Sequence, residues 1–91
     1  MQFIYTDLGY RRQGEVVEVT LTSGANVRLM NSSNFSSFKS GRSYRGYGGL
    51  AKRSPLRLPI PDSDHWHVVV DMQGLRGSTR ASVRMLPDHL P

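Results

Sequence analysis

The sequence predicts an all-β domain, a small sandwich or partly open barrel of about six to seven mostly antiparallel strands. Three observations predict it. Apolar residues recur at every second position almost throughout. No stretch carries the 3.6-residue stripe of an amphipathic helix. Gly, Asn, Ser, Asp and Pro punctuate the chain between the alternating runs, as turns require. At 91 residues the chain is one domain. A chain of this size buries about 60–65% of the surface it exposes when unfolded, which leaves room for one core and little else. The domain is placed at residues 1–86, with "PDHLP" (87–91) as a frayed tail.

Each element has its own warrant. "FIYTDL" (3–8) opens the sheet system. In "EVVEVTLTS" (15–23), Val17, Val19 and Leu21 share one face and Glu18 and Thr20 the other. "SGAN" (23–26) has turn chemistry and "VRLM" (27–30) is extended again, so these two runs read as a hairpin. "NSSNFSSFKSGRS" (31–43) reads as a long loop holding at most one helical turn, with Phe35 and Phe38 tacked onto the core. "SPLRLPIP" (54–61) alternates Leu56, Leu58 and Ile60 with Arg57 and Pro59. Proline cannot donate to a ladder, so this strand belongs at a sheet edge. After the turn "PDSD" (61–64), "HWHVVVDM" (65–72) is the strongest strand. "QGLRGS" (73–78) would close a hairpin onto "TRASVRML" (79–86), with Ala81, Val83 and Met85 inward and Arg80, Ser82 and Arg84 outward.

Composition limits the chemistry. There are no cysteines, which excludes disulfides, thiolate metal sites and a cysteine nucleophile. The N-terminal stretch lacks a basic start followed by a long apolar run, and nothing approaches the roughly 20 apolar residues of a membrane span. The expectation is a soluble cytoplasmic protein with no membrane association. The formal charge is +5, and ten of the twelve basic residues are arginine. The planar guanidinium fork suits phosphates and carboxylates, so an anionic partner is expected. A solvated basic surface with no dedicated partner is the competing account.

"HWHVVVD" (65–71) poses a question of parity. His65, His67 and Asp71 fall on one alternation; Trp66, Val68 and Val70 fall on the other. Imidazole and carboxylate suit zinc, iron or manganese, and the layout matches the ligand spacing of cupin barrels. The cupin glycine six residues before the first histidine is here Pro59, and no second histidine motif follows. Trp66, Val68, Val70 and Met72 also make the better inward set. The histidines are therefore expected on the outer face, toward water, with no metal and no cofactor. A cupin-like metal-dependent enzyme using His65, His67 and Asp71 is kept as an alternative.

"GRSYRGYGGLAKRS" (41–54) interleaves Arg42, Arg45, Lys52 and Arg53 with Tyr44 and Tyr47. Arginine for phosphate and tyrosine for base stacking would serve single-stranded nucleic acid. A long cross-over loop or twisted strand, with its tyrosines half-buried on a sheet edge, is the structural account. No Gly-x-Ser-x-Gly elbow occurs, and no base can be assigned to any serine.

The ordered motifs "DLG", "GEVVEVTL", "NVRLMNSSNF", "FKSG", "YGG", "SPLRLPIP" and "HWHVVVDMQGLRGSTRASV" mark a similarity over about residues 2–86. In that order they resemble a small bacterial family known as domain of unknown function eighteen-eighty-three. One departure is "PDSDHWH", where the family tends to place a glycine just before the His-Trp. The resemblance implies a compact all-β domain, found alone and sometimes ahead of TIR-type signalling domains. It implies no catalytic residues to carry over. The reading from the residues is thus a non-enzymatic β-sandwich module. It binds an anionic or polar partner through Arg42, Tyr44, Arg45 and Tyr47, with the outer face His65, His67, Arg80 and Arg84 as a second site. Single-stranded nucleic acid is the alternative partner.

Overall fold

The alternation of 15–23 is realised in β2 (Val16–Leu21), which buries Val17, Val19 and Leu21 on one face. The computed structural model describes residues 3–86, so the tail at 87–91 lies outside the described residues. Among those described, the remaining strands are β1 (Phe3–Arg11), β3 (Ala25–Asn31), β4 (Tyr47–Ala51), β5 (Leu56–Pro59), β6 (Asp64–Asp71) and β7 (Ala81–Met85). A helix, α1 (Ser32–Lys39), lies between β3 and β4. A four-stranded sheet runs in the order β1-β6-β3-β4 and a three-stranded sheet in the order β5-β2-β7, with antiparallel pairing throughout. The sheets do not close into a barrel. Of the two architectures expected, the sandwich is the one adopted.

The inward faces of both sheets make one core. Val17, Val19 and Leu21 of β2 meet Ala25, Val27 and Leu29 of β3 and Trp66, Val68 and Val70 of β6, with Ile60 and Ala51 filling between. Each such aliphatic side chain stabilises the fold by roughly 1.5–3 kcal/mol on full burial. Leu56, Leu58, Ala81, Val83 and Met85 line the same core from the edge strands, as their alternation predicts. Strand β5, with its prolines, is indeed an edge.

Two expected hairpins are absent. β2 and β3 lie in different sheets, and so do β6 and β7. Residues 22–24 and 72–80 instead carry the chain across the sandwich. The reason is that both strands of each pair have one apolar face. Crossing between sheets sets those faces opposite each other, whereas a hairpin would set them side by side. Short polar turns serve either connection.

The edge strand β4 depends on one glycine. Gly48 has a φ of +124°, and a Cβ there would lie 2.3 Å from the carbonyl oxygen of Val27, so only glycine lets β4 approach β3.

On the outer face of the small sheet, Glu18 sits in register between Arg57 and Arg84. Its carboxylate accepts from Arg57 Nε at 3.1 Å and from Arg84 Nε at 2.8 Å. The hydrogen bond from Arg84 is the main cause of a carboxyl pKa held below the usual range, with Arg57 adding to it against a penalty from burial. The folded state thus keeps Glu18 ionised to a lower pH than the unfolded chain does. The stabilisation is complete above the ordinary glutamate value of about 4.3 and is lost as pH falls through the lower folded value. Melting temperatures of the wild type and Glu18→Gln should therefore differ at neutral pH and converge in strong acid. A gap independent of pH would contradict the pairing.

Candidate functional site

Strand β6 presents His65, His67, Val69 and Asp71 to the outer face of the large sheet, opposite Trp66, Val68 and Val70 in the core. The indole orientation agrees with the expected parity. His65 meets water as expected, its side chain 45% exposed, but α1 lies across the part of the face that holds His67.

Helix α1 forms against the propensity of its serines and asparagines. Asn31 caps it, its side chain accepting from the backbone N–H of Asn34 at 2.9 Å. Eight residues are too few to hold a helix alone in water. Phe35 and Phe38 hold it by packing on Met30, Val69 and Phe3 in a second apolar cluster. The expected loop with at most one turn is therefore a two-turn helix. The gain from burying two phenylalanines outweighs the local preference of the polar residues between them.

Under the N-terminal end of α1, His67 is only 7% exposed, a correction to its expected place toward water. Its ring stacks on Phe35 at 4.5 Å and on His65 at 5.1 Å between centroids. Its Nε2 lies 3.1 Å from Ser32 Oγ, and its buried Nδ1 has no hydrogen-bond partner among the described residues. Burial is the main cause of a pKa below the usual imidazole value, with nearby Asp7 partly opposing it. Ser32 thus has a base beside it, which spacing did not reveal. Among the described residues no carboxylate holds Nδ1, so there the pair has no orienting member of a nucleophile–base–acid relay.

The third group at this site is Asp7 of β1. The register between β1 and β6 runs Asp7↔His67 and then Gly9↔Trp66, a bulge at Leu8, which is itself buried in the core. Gly9 takes a φ of +72° there and donates its N–H to Asp7 Oδ1 at 2.8 Å. Asp7 Oδ1 also meets His65 Nε2 at 2.6 Å. The Gly9 bond first, and His65 second, hold the Asp7 carboxyl below the usual carboxylate range. A carboxylate oxygen of Asp7 and one ring nitrogen each of His65 and His67 lie within 4.8 Å of one another. The available clue in the sequence was the glycine inside a strand, which signals a bulge.

Asp71 does not join this group. It is buried at the far end of β6, where Arg28 Nη1 lies 3.1 Å from Oδ2 and Asn26 Nδ2 donates to Oδ1 at 2.9 Å. The set His65, His67 and Asp71 is therefore corrected to His65, His67 and Asp7. The sandwich also offers no barrel interior for cupin-like ligands. Four residues along a strand is about 13 Å, too far for shared ligation.

The expected second site is divided as well. His65 and His67 lie on the large sheet, whereas Arg84 lies on the small one and is engaged with Glu18. Arg80 precedes β7, exposed, its backbone N–H donating to Thr22 Oγ1 at 2.8 Å. The separation follows from β6 and β7 belonging to different sheets.

The basic stretch is ordered around α1 and β4. Arg42 donates its backbone N–H to Ser37 O at 2.9 Å, and Arg45 donates its own to Asn34 Oδ1 at 2.7 Å, which ties the loop to the helix. Tyr44 packs edge-on against Phe38 and Tyr47 against Trp66, yet 40% and 42% of these tyrosines remain exposed. Lys52 and Arg53 follow β4 and line a small recess with Thr22, Ser23 and Ser54. A larger open cleft of about 540 Å³ lies between β1 and residues 77–79, lined by Ile4, Val70 and Met72 among others. Apart from Asp71, it contains none of the expected binding residues. No helix among the described residues is long and apolar enough to cross a membrane.

The family model described as domain of unknown function (DUF1883) matches residues 1–89. The chain belongs to this family. No curated protein and no solved structure matches the chain. The DUF1883 fold in this chain is thus an open antiparallel sandwich with a helix laid over one face.

Proposed function

We propose that this DUF1883 domain is a non-catalytic recognition module for an anionic partner, engaged through Arg42, Tyr44, Arg45 and Tyr47. One observation carries the reading. Among the described residues the arginine ion pairs use Arg11, Arg28, Arg57 and Arg84. Arg42 and Arg45 are exposed and enter none. Their guanidinium forks are free for phosphate or carboxylate oxygens. The loop is also tied to α1 by its backbone, so little ordering has to occur on binding.

The exposed Tyr44 and Tyr47 favour a single-stranded nucleic acid as a second reading, since tyrosine faces stack on any base. Two probes separate these readings, a single-stranded oligonucleotide and an acidic polypeptide such as poly-glutamate. Binding should weaken steeply with salt. Arg42→Ala/Arg45→Ala should remove most of it while the melting temperature stays unchanged. Tyr44→Ala/Tyr47→Ala should weaken the oligonucleotide alone if stacking contributes. Binding untouched by the arginine changes, or absent for both probes at low salt, would refute the assignment.

A further inference from the structure

We infer that Asp7, His65 and His67 form a binding site for a divalent first-row transition ion of the zinc or iron class. The inference is independent of the anionic-partner reading, which uses other residues. It starts from donor chemistry. Two imidazoles and one carboxylate suit zinc, iron and manganese, and as three ligands they leave positions open for water or another ligand.

The positions are built by the fold. His65 and His67 alternate along β6 and so share its outer face. Asp7 pairs directly opposite His67 in the β1–β6 ladder, which puts it on the same face.

The distances are near those of a bound site. Metal bonds of about 2.0–2.2 Å set the ligand atoms of a tetrahedral ion roughly 3.4 Å apart. The three donors already lie within 4.8 Å of one another. Asp7 and His65, with side chains 53% and 45% exposed, have room to turn. His67 cannot turn, because Phe35 and Ser32 hold it.

His67 supplies the second observation. Metal-bound histidines usually have one nitrogen on the metal and the other hydrogen-bonded to a neighbour that fixes the ring. Ser32 Oγ stands at Nε2, while Nδ1 is buried and unpartnered. An ordinary surface His–Asp contact accounts for His65 and Asp7 and leaves that buried nitrogen unexplained. Burying a polar atom without a partner costs free energy, and a metal ligated by His67 would change that balance.

The test uses the whole chain, purified without a histidine tag. Co2+ is titrated for its visible absorption bands, and Zn2+ by calorimetry in the same buffer. One equivalent should bind, and the melting temperature should rise with added Zn2+. Asp7→Asn and His65→Ala change exposed residues, so both should stay folded. Each should lose more than the roughly 10- to 100-fold that an outer-shell partner carries, and Ser32→Ala should fall within that range. His89→Ala, in the tail outside the described residues, should bind as the wild type does. Absence of saturable binding would overturn the site. So would binding indifferent to Asp7→Asn and His65→Ala, or binding abolished by His89→Ala.

Discussion

Trp66→Ala should destabilise the domain by about 3–5 kcal/mol, the range for removing a buried aromatic. Trp66 is 3% exposed and stands on β6, an interior strand of the large sheet, between Gly9 of β1 and Asn31 of β3. Its ring packs in the core and its indole N–H donates to the carbonyl of Asp62 at 2.7 Å. Truncation would leave a cavity and an unpaired carbonyl together. Domains of this kind are stable by about 5–15 kcal/mol, so one change would remove a large share. Since Trp66 is the only tryptophan, far-UV circular dichroism should follow urea unfolding. The midpoint should fall with little change in slope. His65→Ala, one residue away on the other face, should move it by no more than about 0.5 kcal/mol. The opposite ranking would mean that the strand is inside out.

Phe35→Ala should cost nearly as much, about 3–5 kcal/mol by the same reasoning, unless α1 simply undocks. Phe35 is 4% exposed and touches Phe3, Tyr5 and His67 by ring contacts. The two outcomes separate at His67. Burial is the main reason its pKa lies low. Loss of the helix cover should therefore raise the His67 pKa toward the ordinary value of about 6.5. Proton or nitrogen NMR titration of the imidazole reads this directly. Phe35→Leu should keep both the helix and the low pKa. A His67 titration unchanged in a clearly destabilised Phe35→Ala protein would mean that α1 stays docked over the cavity, and one unchanged after α1 is lost would show that α1 is not what shields it.

Those experiments bear on the boundary between what was legible in the chain and what was not. The inward set Val17, Val19, Leu21, Trp66, Val68 and Val70 followed from alternation, and all six are buried. The prolines around β5 marked an edge correctly. The partner of Glu18 was not legible. Arg57 and Arg84 lie 39 and 66 residues from it, and only sheet order brings them to its two sides. Spacing points to Asp71 rather than Asp7 for a similar reason. Asp71 sits on the same strand as the histidines, where spacing can be counted, whereas Asp7 reaches them across a ladder and a bulge.

The amino-acid sequence by itself determined which side chains of each strand face the core, because side-chain parity is built into the local geometry of extended backbone. The tertiary structure alone decided which strands are neighbours, that α1 would roof His67, and that a carboxylate from β1 would stand beside the histidines. Those outcomes depend on which apolar faces can be buried against each other across long separations. A turn of a few polar residues carries no record of that competition.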